Sequence, residues 1–542
     1  MNKIFNKTKQ FVFSQQKSIF SSALILAFMI VIARLFGFLR YRILAGYFTT
    51  DTLDVFYASF RIPDLVFEIL ITGALISSFI PIYIKYKNDK EKLSTNISSI
   101  INLVFVVLFI FLIILFVFMN KIMALITPGY DIEKIRLISR YSRYLLIGQL
   151  PFLVFGNILT GIGQANKTFF LAALAPVFYN LGIIVATIIL APNLNLLAPV
   201  IGVVLGAVLF LLIQFPLLFK FDFKYCFILK KTRGLIEFVK TTIPRILTVL
   251  TAQIDATIDL ALATLLEPGS YTILYLAQRF QLLPVSVIGI ALGQASFPYL
   301  SEMYQNNKID EFKKVVVDSI MNIFFLTIPI MLFFVFARTP LIRLFFGGVK
   351  FDWNSTVLTA ITLSFFALSL PFHSVYYFLT RCFYAFLDTK TPFILSIISV
   401  SLNAILSIVF IVFLKLPVWS LAISFSISMT INVILLFILL FKRIKGLNLK
   451  IIFLETSKIL FASLISSIFS YYLLKFLDGL VFDTTRTIQV FFLLTTVGII
   501  YLLLYLFIAW LINTKEIYLV SKLIIKAKEY KKKIIELQTV YE

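Results

Sequence analysis

Charge is scarce in this chain. Asp, Glu, Lys and Arg make up 14% of its 542 residues, hydrophobic residues make up 60%, and the mean hydropathy is +1.00, which excludes a soluble globular protein. Histidine is nearly absent. His373 stands alone beside Pro371 and Tyr376, with no second imidazole to share a metal, and reads as a packed helix residue. The two cysteines, Cys226 and Cys382, are far apart and match neither a CxxC metal site nor a disulfide framework. Acidic residues are outnumbered, 26 against 49 Lys and Arg, giving a formal net charge of +23. No RRM-like, zinc-finger or other basic-aromatic module accompanies that charge, so nucleic acid is not an expected partner. Walker loops, HExxH and nucleophile elbows are missing too, which leaves no ATPase or hydrolase apparatus.

What is abundant is apolar length. Stretches of about 20 apolar residues between polar interruptions give about fourteen candidate spans. They lie near 19–45, 53–84, 98–126, 139–162, 169–191, 198–219, 238–265, 271–300, 316–338, 355–386, 392–414, 418–441, 455–477 and 488–512. The expected fold class is an all-α polytopic membrane protein. Met1 to Gln16 carries Lys3, Lys7 and Lys9 without a small-residue cleavage site and reads as a retained cytoplasmic segment. From that start one side receives Lys85, Lys87, Lys90, Lys92, Lys167, Lys224, Lys230, Lys231, Arg233, Lys313, Lys314, Lys390, Lys442, Arg443 and the Lys522 to Lys533 tail. The other receives Asp51, Asp131, Glu133, Glu267, Asp352, Asp478 and Asp483, so the positive-inside rule predicts both termini in the cytoplasm. The basic tail is expected to skim anionic headgroups.

The chain repeats itself. Ser78-Phe79-Ile80-Pro81 resembles Ser296-Phe297-Pro298, Lys167-Thr168 with Asn180 recurs as Lys390-Thr391 with Asn403, and the Gly129, Asp131 loop echoes Gly348, Asp352. Each unit holds about six helices, which predicts two lobes of like orientation around a central cavity and an appended helix pair. The expected domains are 1–220 (spans 1–6), 221–441 (a cytoplasmic linker and spans 7–12), 442–514 (spans 13–14) and a basic tail at 515–542.

The residues most able to carry function are cations inside apolar runs. Arg34 and Arg40 in the first span and Arg61 in the second would be expelled from lipid, since a central Arg costs about 3 kcal/mol on insertion scales, so they are expected to line a wetted cavity. Arg40 and Arg42 could instead snorkel to the outer interface. Asp54 is a candidate ion-pair partner for Arg40 or Arg42, and Arg61 for Asp64, Glu68 or a substrate phosphate, whose oxygens suit a guanidinium fork. Arg279 supplies a cation from the second lobe. Pro63 is a kink source. Asp255 and Asp259, one helical turn apart in the seventh span, could bind Na⁺ or a proton and so couple transport to an ion, or could form an internal salt bridge with an Arg such as Arg381.

The ordered set Ala33-Arg34-Leu35-Phe36-Gly37-Phe38-Leu39-Arg40, Asp54-Val55-Phe56, Phe60-Arg61-Ile62-Pro63, Thr127-Pro128-Gly129-Tyr130, Gln278-Arg279-Phe280, Gly289-Ile290-Ala291-Leu292-Gly293 and Asp388-Thr389-Lys390-Thr391-Pro392 resembles the MurJ (MviN) lipid II flippases over effectively the whole chain. That family sits in the superfamily of multidrug, oligosaccharidyl-lipid and polysaccharide exporters. The resemblance implies a transporter in the bacterial cytoplasmic (inner) membrane that moves lipid II, an undecaprenyl-diphosphate-linked peptidoglycan precursor, to the outer leaflet by alternating access. Lipid II, membrane lipids and cell-wall synthesis machinery are the implied partners. It also implies that Arg34, Arg40, Arg279 and Asp54 belong to an essential cavity, that Arg61 occupies a usually basic position, that spans 13–14 flank a polyprenyl groove, and that Asp259 and Asn403 match proposed Na⁺ ligands; no cofactor is implied. Phe67, Thr72, Gln278, Phe386, Leu387 and Ser407 depart from the family pattern, and Arg61 or Arg42 is the expected compensation for the cation missing at Phe67. A flippase for another polyprenyl-linked glycan or a cation-coupled drug exporter is the alternative, though a drug exporter should favour acidic over arginine-rich walls. A membrane-embedded glycosyl- or phosphotransferase would need clustered acidic ligands or a base, which Asp131, Glu133 and Asp352 do not form.

Overall fold

A chain that is apolar over twenty-residue runs must satisfy its backbone polar groups internally, and in lipid that favours helices. The computed structural model describes residues 19–71, 79–166, 168, 170–220 and 224–518, and among these there is no β-strand. The N-terminal Lys3, Lys7 and Lys9, Thr72, Ser78, Lys167 and the tail from residue 519 lie outside the described residues. Eleven helices are long and apolar enough to cross a membrane, and they coincide with eleven of the expected spans. The stretch expected as the second span includes residues 72–78, which lie outside the described set, and in those expected as the first and seventh spans, which are helical, some side chains lie outside it.

One compact unit comprises the residues up to Thr272 together with Phe345–Ser355. It holds α1 (Ile19–Tyr47), α2 (Thr50–Ser59), α3 (Arg61–Phe67), α4 (Ile80–Tyr86), α5 (Lys90–Ile126), α6 (Ile132–Gly148), α7 (Leu150–Ala165), α8 (Phe170–Leu194), α9 (Leu197–Leu212), α10 (Pro216–Lys220) and α11 (Arg233–Thr264). The segment expected as one span near 53–84 is broken between α2 and α3. Pro63 has no N–H to offer the Ser59 carbonyl four residues back, and the buried Ser142 Oγ on α6 donates to that oxygen instead, at 2.9 Å. Helices α8 and α9 make a small-residue seam. A methyl on Gly206 would collide with the Tyr179 carbonyl, and one on Gly182 would meet the Gly206 backbone. Gly206→Val should therefore lower the thermal stability of the purified protein by about 1–3 kcal/mol, the usual range for overpacking, whereas Gly37→Val, which has nothing within 4 Å, should not.

The second compact unit comprises Ile273–Leu344 and the residues from Thr356 on. The chain continues through α12 (Ser270–Pro284), a π-helical turn at Val285–Ile290, α13 (Ala291–Gln305), α14 (Ile309–Phe336), α15 (Arg338–Phe346), α16 (Trp353–Ala385), α17 (Lys390–Ile408), α18 (Trp419–Arg443), α19 (Leu449–Leu477) and α20 (Thr487–Leu511), the first turns of α12 and α16 and the end of α15 belonging to the first unit. Helix α19 packs on both α20 and α14. Two hydroxyls lock that seam to α14, Tyr501 donating to Pro329 O at 2.9 Å and Tyr505 to Phe325 O at 2.8 Å. His373 is a core residue, stacked on Tyr377 at 5.4 Å and 3.3 Å from Gln281 Nε2.

The turn from α16 to α17 holds two departures from the family pattern, Phe386, which its packing explains, and Leu387, which nothing in the structure explains. Phe386 packs its ring on Tyr304 at 4.7 Å and Phe312 at 5.0 Å, beneath the Arg443 guanidinium. Asp388 accepts from Thr391 N at 3.0 Å and from Arg443 Nη1 at 2.6 Å. Partial burial opposes its ionisation, but those donors outweigh it and hold the carboxyl below the ordinary carboxylate range. Leu387 is 89% exposed at φ 60°, a left-handed backbone that penalises a Cβ. Leu387→Gly should raise stability by about 1 kcal/mol in thermal unfolding, because strain is released and no packing is lost.

Candidate functional site

The loops and helix starts of the first unit carry Asp51, Asp131, Glu133, Glu267 and Asp352, and hydrogen bonds and an ion pair join the segments holding Thr50, Lys134, Gly269 and Ser355 around Asp54. Asp54 lies on α2 and is 1% exposed. Its Oδ2 accepts from Gly269 N at 2.8 Å and its Oδ1 from Thr272 N at 2.7 Å. These N–H groups bracket the first turn of α12, where no intrahelical acceptor exists, so Asp54 caps that helix from 215 residues away. The expected pairing with Arg40 or Arg42 is thus corrected. The cation that the structure shows beside Asp54 is Lys134, 3.9 Å from Oδ2 and 2.5 Å from Asp51 Oδ1.

The surroundings reinforce the cap. Thr272 Oγ1 donates to Thr50 O at 2.9 Å, and Thr50 Oγ1 meets Ser355 Oγ at 3.2 Å. Gly269 has φ +92°, and a Cβ there would lie 2.5 Å from Thr50 Oγ1, so both its backbone and its space require glycine. Gly129 N donates to Thr264 Oγ1 at 3.1 Å, and any side chain at Gly129 would enter the Thr264–Leu265 backbone. Tyr130 lies under the Lys134 ammonium, 4.2 Å from its ring centre. Burial first, and the nearby Asp54 carboxylate second, push the Tyr130 phenol above its ordinary value, so it stays protonated.

Arg61 opens α3 and is 9% exposed. Its Nε donates to Thr257 Oγ1 at 3.0 Å and its Nη2 to Gln253 O at 2.8 Å, with a further short contact to Gln253 Oε1. Those acceptors stand on α11 where Asp64, Glu68 or a ligand had been expected, so in this conformation Arg61 fastens α3 to α11. On the same helix Asp259 is 5% exposed and Asp255 half-buried. Arg34 is exposed on α1, and Arg40 is half-buried with its guanidinium 4.7 Å from the Tyr41 ring centre. Phe67 packs on an apolar cluster of Leu153, Ala175, Ala207 and Phe210, which accounts for an aromatic there.

In the second unit Arg279 is exposed on α12, its guanidinium 4.8 Å from the Tyr275 ring centre, and Arg381 lies 5.5 Å from that of Tyr384. Asn403 is 2% exposed beside Ser407, whose Oγ lies 3.5 Å from Asn403 Oδ1 and 2.6 Å from Ser424 Oγ. Among the described residues no group of three or more His, Cys, Asp or Glu is placed to hold a metal ion. The arrangement offers exposed guanidiniums at Arg34 and Arg279, a buried carboxylate at Asp54 that caps α12, and a buried Asp259 with a half-buried Asp255 on α11.

A family model described as "Lipid II flippase MurJ" matches residues 44–519. A protein of Buchnera aphidicola subsp. Schizaphis graminum named "Probable lipid II flippase MurJ" is 28% identical over 501 residues, 90% of this chain and 96% of its own length. A solved structure described as "Lipid II flippase MurJ, inward closed conformation" aligns with a TM-score of 0.75 at 25% identity, covering 91% of this chain and all of the other. An inward-facing multidrug resistance MATE transporter of the MOP superfamily shares the fold, with a TM-score of 0.66 at 16% identity over 78% of this chain and 98% of its own.

Proposed function

The chain belongs to the lipid II flippase MurJ family, and from that premise we propose that it carries the undecaprenyl-diphosphate-linked peptidoglycan precursor from the inner to the outer leaflet of the bacterial cytoplasmic membrane. It is a transporter, not an enzyme. Arg34, Arg40 and Arg279 hold the diphosphate, because guanidiniums on mostly apolar helices, exposed at Arg34 and Arg279 and half-buried at Arg40, are stabilised by water or an anion opposite them. Fourteen spans in two like-oriented six-helix lobes, with spans 13–14 along the lipid tail and both termini cytoplasmic, complete this reading. The family match over residues 44–519 is the observation that carries it.

Asp54 fastens the entrance of α12 to α2 through Gly269 and Thr272, and release of those two N–H groups is, in this reading, a step in opening the acidic, outer face during transport. Arg61 links that movement to α11 through Gln253 and Thr257, so a cation or proton taken up at Asp255 or Asp259, with Asn403 as a further ligand, would bias the same equilibrium. The test is lipid II exposure at the outer leaflet of cells depleted of their own flippase. This protein should restore exposure; a well-inserted protein that leaves lipid II inside would reopen the substrate assignment.

A further inference from the structure

Residues 224–230 link α10 to α11, and they are strapped to α5 by side chains rather than by backbone pairing. Ser94 Oγ donates to Lys224 O, Cys226 N to Ser98 Oγ at 2.9 Å, and Lys230 N to Ser99 Oγ at 3.3 Å. Asn102 Nδ2 donates to Ile228 O at 2.9 Å, and the Tyr225 hydroxyl donates to Asn102 Oδ1 at 2.5 Å. These four α5 residues end where the helix turns apolar, since Leu103 through Met119 contains no polar side chain. The strap therefore lies at the membrane boundary. Its outward side chains are apolar, Phe227 being 92% exposed and Leu229 56%, which water would disfavour and lipid accepts.

Below the strap an open groove of about 700 Å³, lined by Asn102, Phe105, Phe109, Leu112, Pro151 and Tyr225 among others, runs down α5. From Asn102 to Leu112 it descends about 15 Å at 1.5 Å per residue, most of the length of an extended fatty-acyl chain and too deep for the interface alone. Its mouth is polar, Asn102 and the Tyr225 hydroxyl, and its walls are apolar. Four exposed cations, Lys224, Lys230, Lys231 and Arg233, stand around the strap, and residues 224–233 contain no acid.

We propose that this groove is a binding site for an anionic phospholipid of the lysine-rich leaflet, one acyl chain lying against α5 and the phosphate held by Lys224, Lys230 and Lys231. Apolar walls alone would accept any lipid tail; the lysines at the mouth, which form no ion pair among the described residues, select a negative headgroup. Because α10 and α11 join at the strap, such a lipid would fix the start of α11, the helix that Arg61 grips.

A tryptophan at position 109 would report occupancy in nanodiscs of the full chain, as the difference between Phe109→Trp and the parent. Acyl-brominated phosphatidylglycerol should quench that reporter about threefold more effectively than acyl-brominated phosphatidylcholine at equal mole fraction. Lys224→Gln, Lys230→Gln and Lys231→Gln combined should bring the ratio to about one while leaving phosphatidylcholine quenching unchanged. Equal quenching by the two lipids in the parent background, or a preference that survives loss of the lysines, would overturn the site. So would displacement of the brominated lipid by stoichiometric undecaprenyl phosphate, which would make a prenyl tail the occupant. Native mass spectrometry of the same lysine variants, counting retained phosphatidylglycerol, gives the answer independently of the tryptophan.

Discussion

Arg34→Ala and Arg279→Ala, singly, should each lower lipid II export by roughly 10- to 100-fold at equal membrane abundance, and together should abolish it. Both guanidiniums are exposed on helices rich in apolar residues, Arg34 on α1 and Arg279 on α12. Neither residue is buried in a packed core, so truncation should leave insertion and thermal stability close to those of the parent. What is lost is the charge-assisted hydrogen bonding to a diphosphate, about 1.5–3 kcal/mol per interaction, which sets the fold-change. Lysine should rescue poorly, because an ammonium keeps the charge but not the planar fork. Lipid II accessibility at the outer leaflet of flippase-depleted cells is the measurement. Near-parental export by Arg279→Ala would remove it from the diphosphate site, and full rescue by Arg279→Lys would show that charge alone matters.

The long helices were legible because an apolar run of twenty residues leaves few alternatives, and eleven of the expected spans recur as suitable helices. Pro63 was legible as a source of irregularity; its consequence was not, because the hydroxyl that repairs the freed Ser59 carbonyl is 83 residues away on Ser142. Cations in apolar runs pointed to a site, yet similar chemistry served different ends. Arg34 and Arg279 are exposed, while Arg61 is buried against Gln253 and Thr257, and residue type alone carries no sign of which outcome applies. Asp54 was legible as a buried acid that needed a partner. Its partners, Gly269 N and Thr272 N, are backbone groups that every residue but proline possesses, so only Gly269 after Glu267-Pro268 gave any hint of a turn there. The strap on α5 was hidden for a related reason: Ser94, Ser98, Ser99 and Asn102 look like an ordinary polar helix entrance until a chain segment is laid across them.

Asp54→Ala should make the acidic face open more readily, and by a large factor. The carboxylate is buried and meets two backbone donors and the Lys134 ammonium, so its removal strands two N–H groups of the α12 first turn together with part of a buried charge. Breaking such an arrangement from one side costs about 3–5 kcal/mol, which at 1.4 kcal/mol per decade exceeds a hundredfold shift. Asp54→Asn keeps a carbonyl oxygen for one of the N–H groups and should fall between the two. The readout is labelling of Ser355→Cys, a position 7% exposed beside Thr50, by a membrane-impermeant maleimide in a Cys226→Ser background. Labelling should rise at least tenfold in Asp54→Ala and more modestly in Asp54→Asn, while lipid II export falls in both because the closed state is no longer reached. If the alanine variant is too unstable to purify, the asparagine variant still decides the matter. Unchanged labelling in a folded Asp54→Asn protein, with export lost, would mean that Asp54 acts on the substrate and not on the clasp. Parental export alongside raised labelling would mean that the clasp is dispensable for the transport cycle.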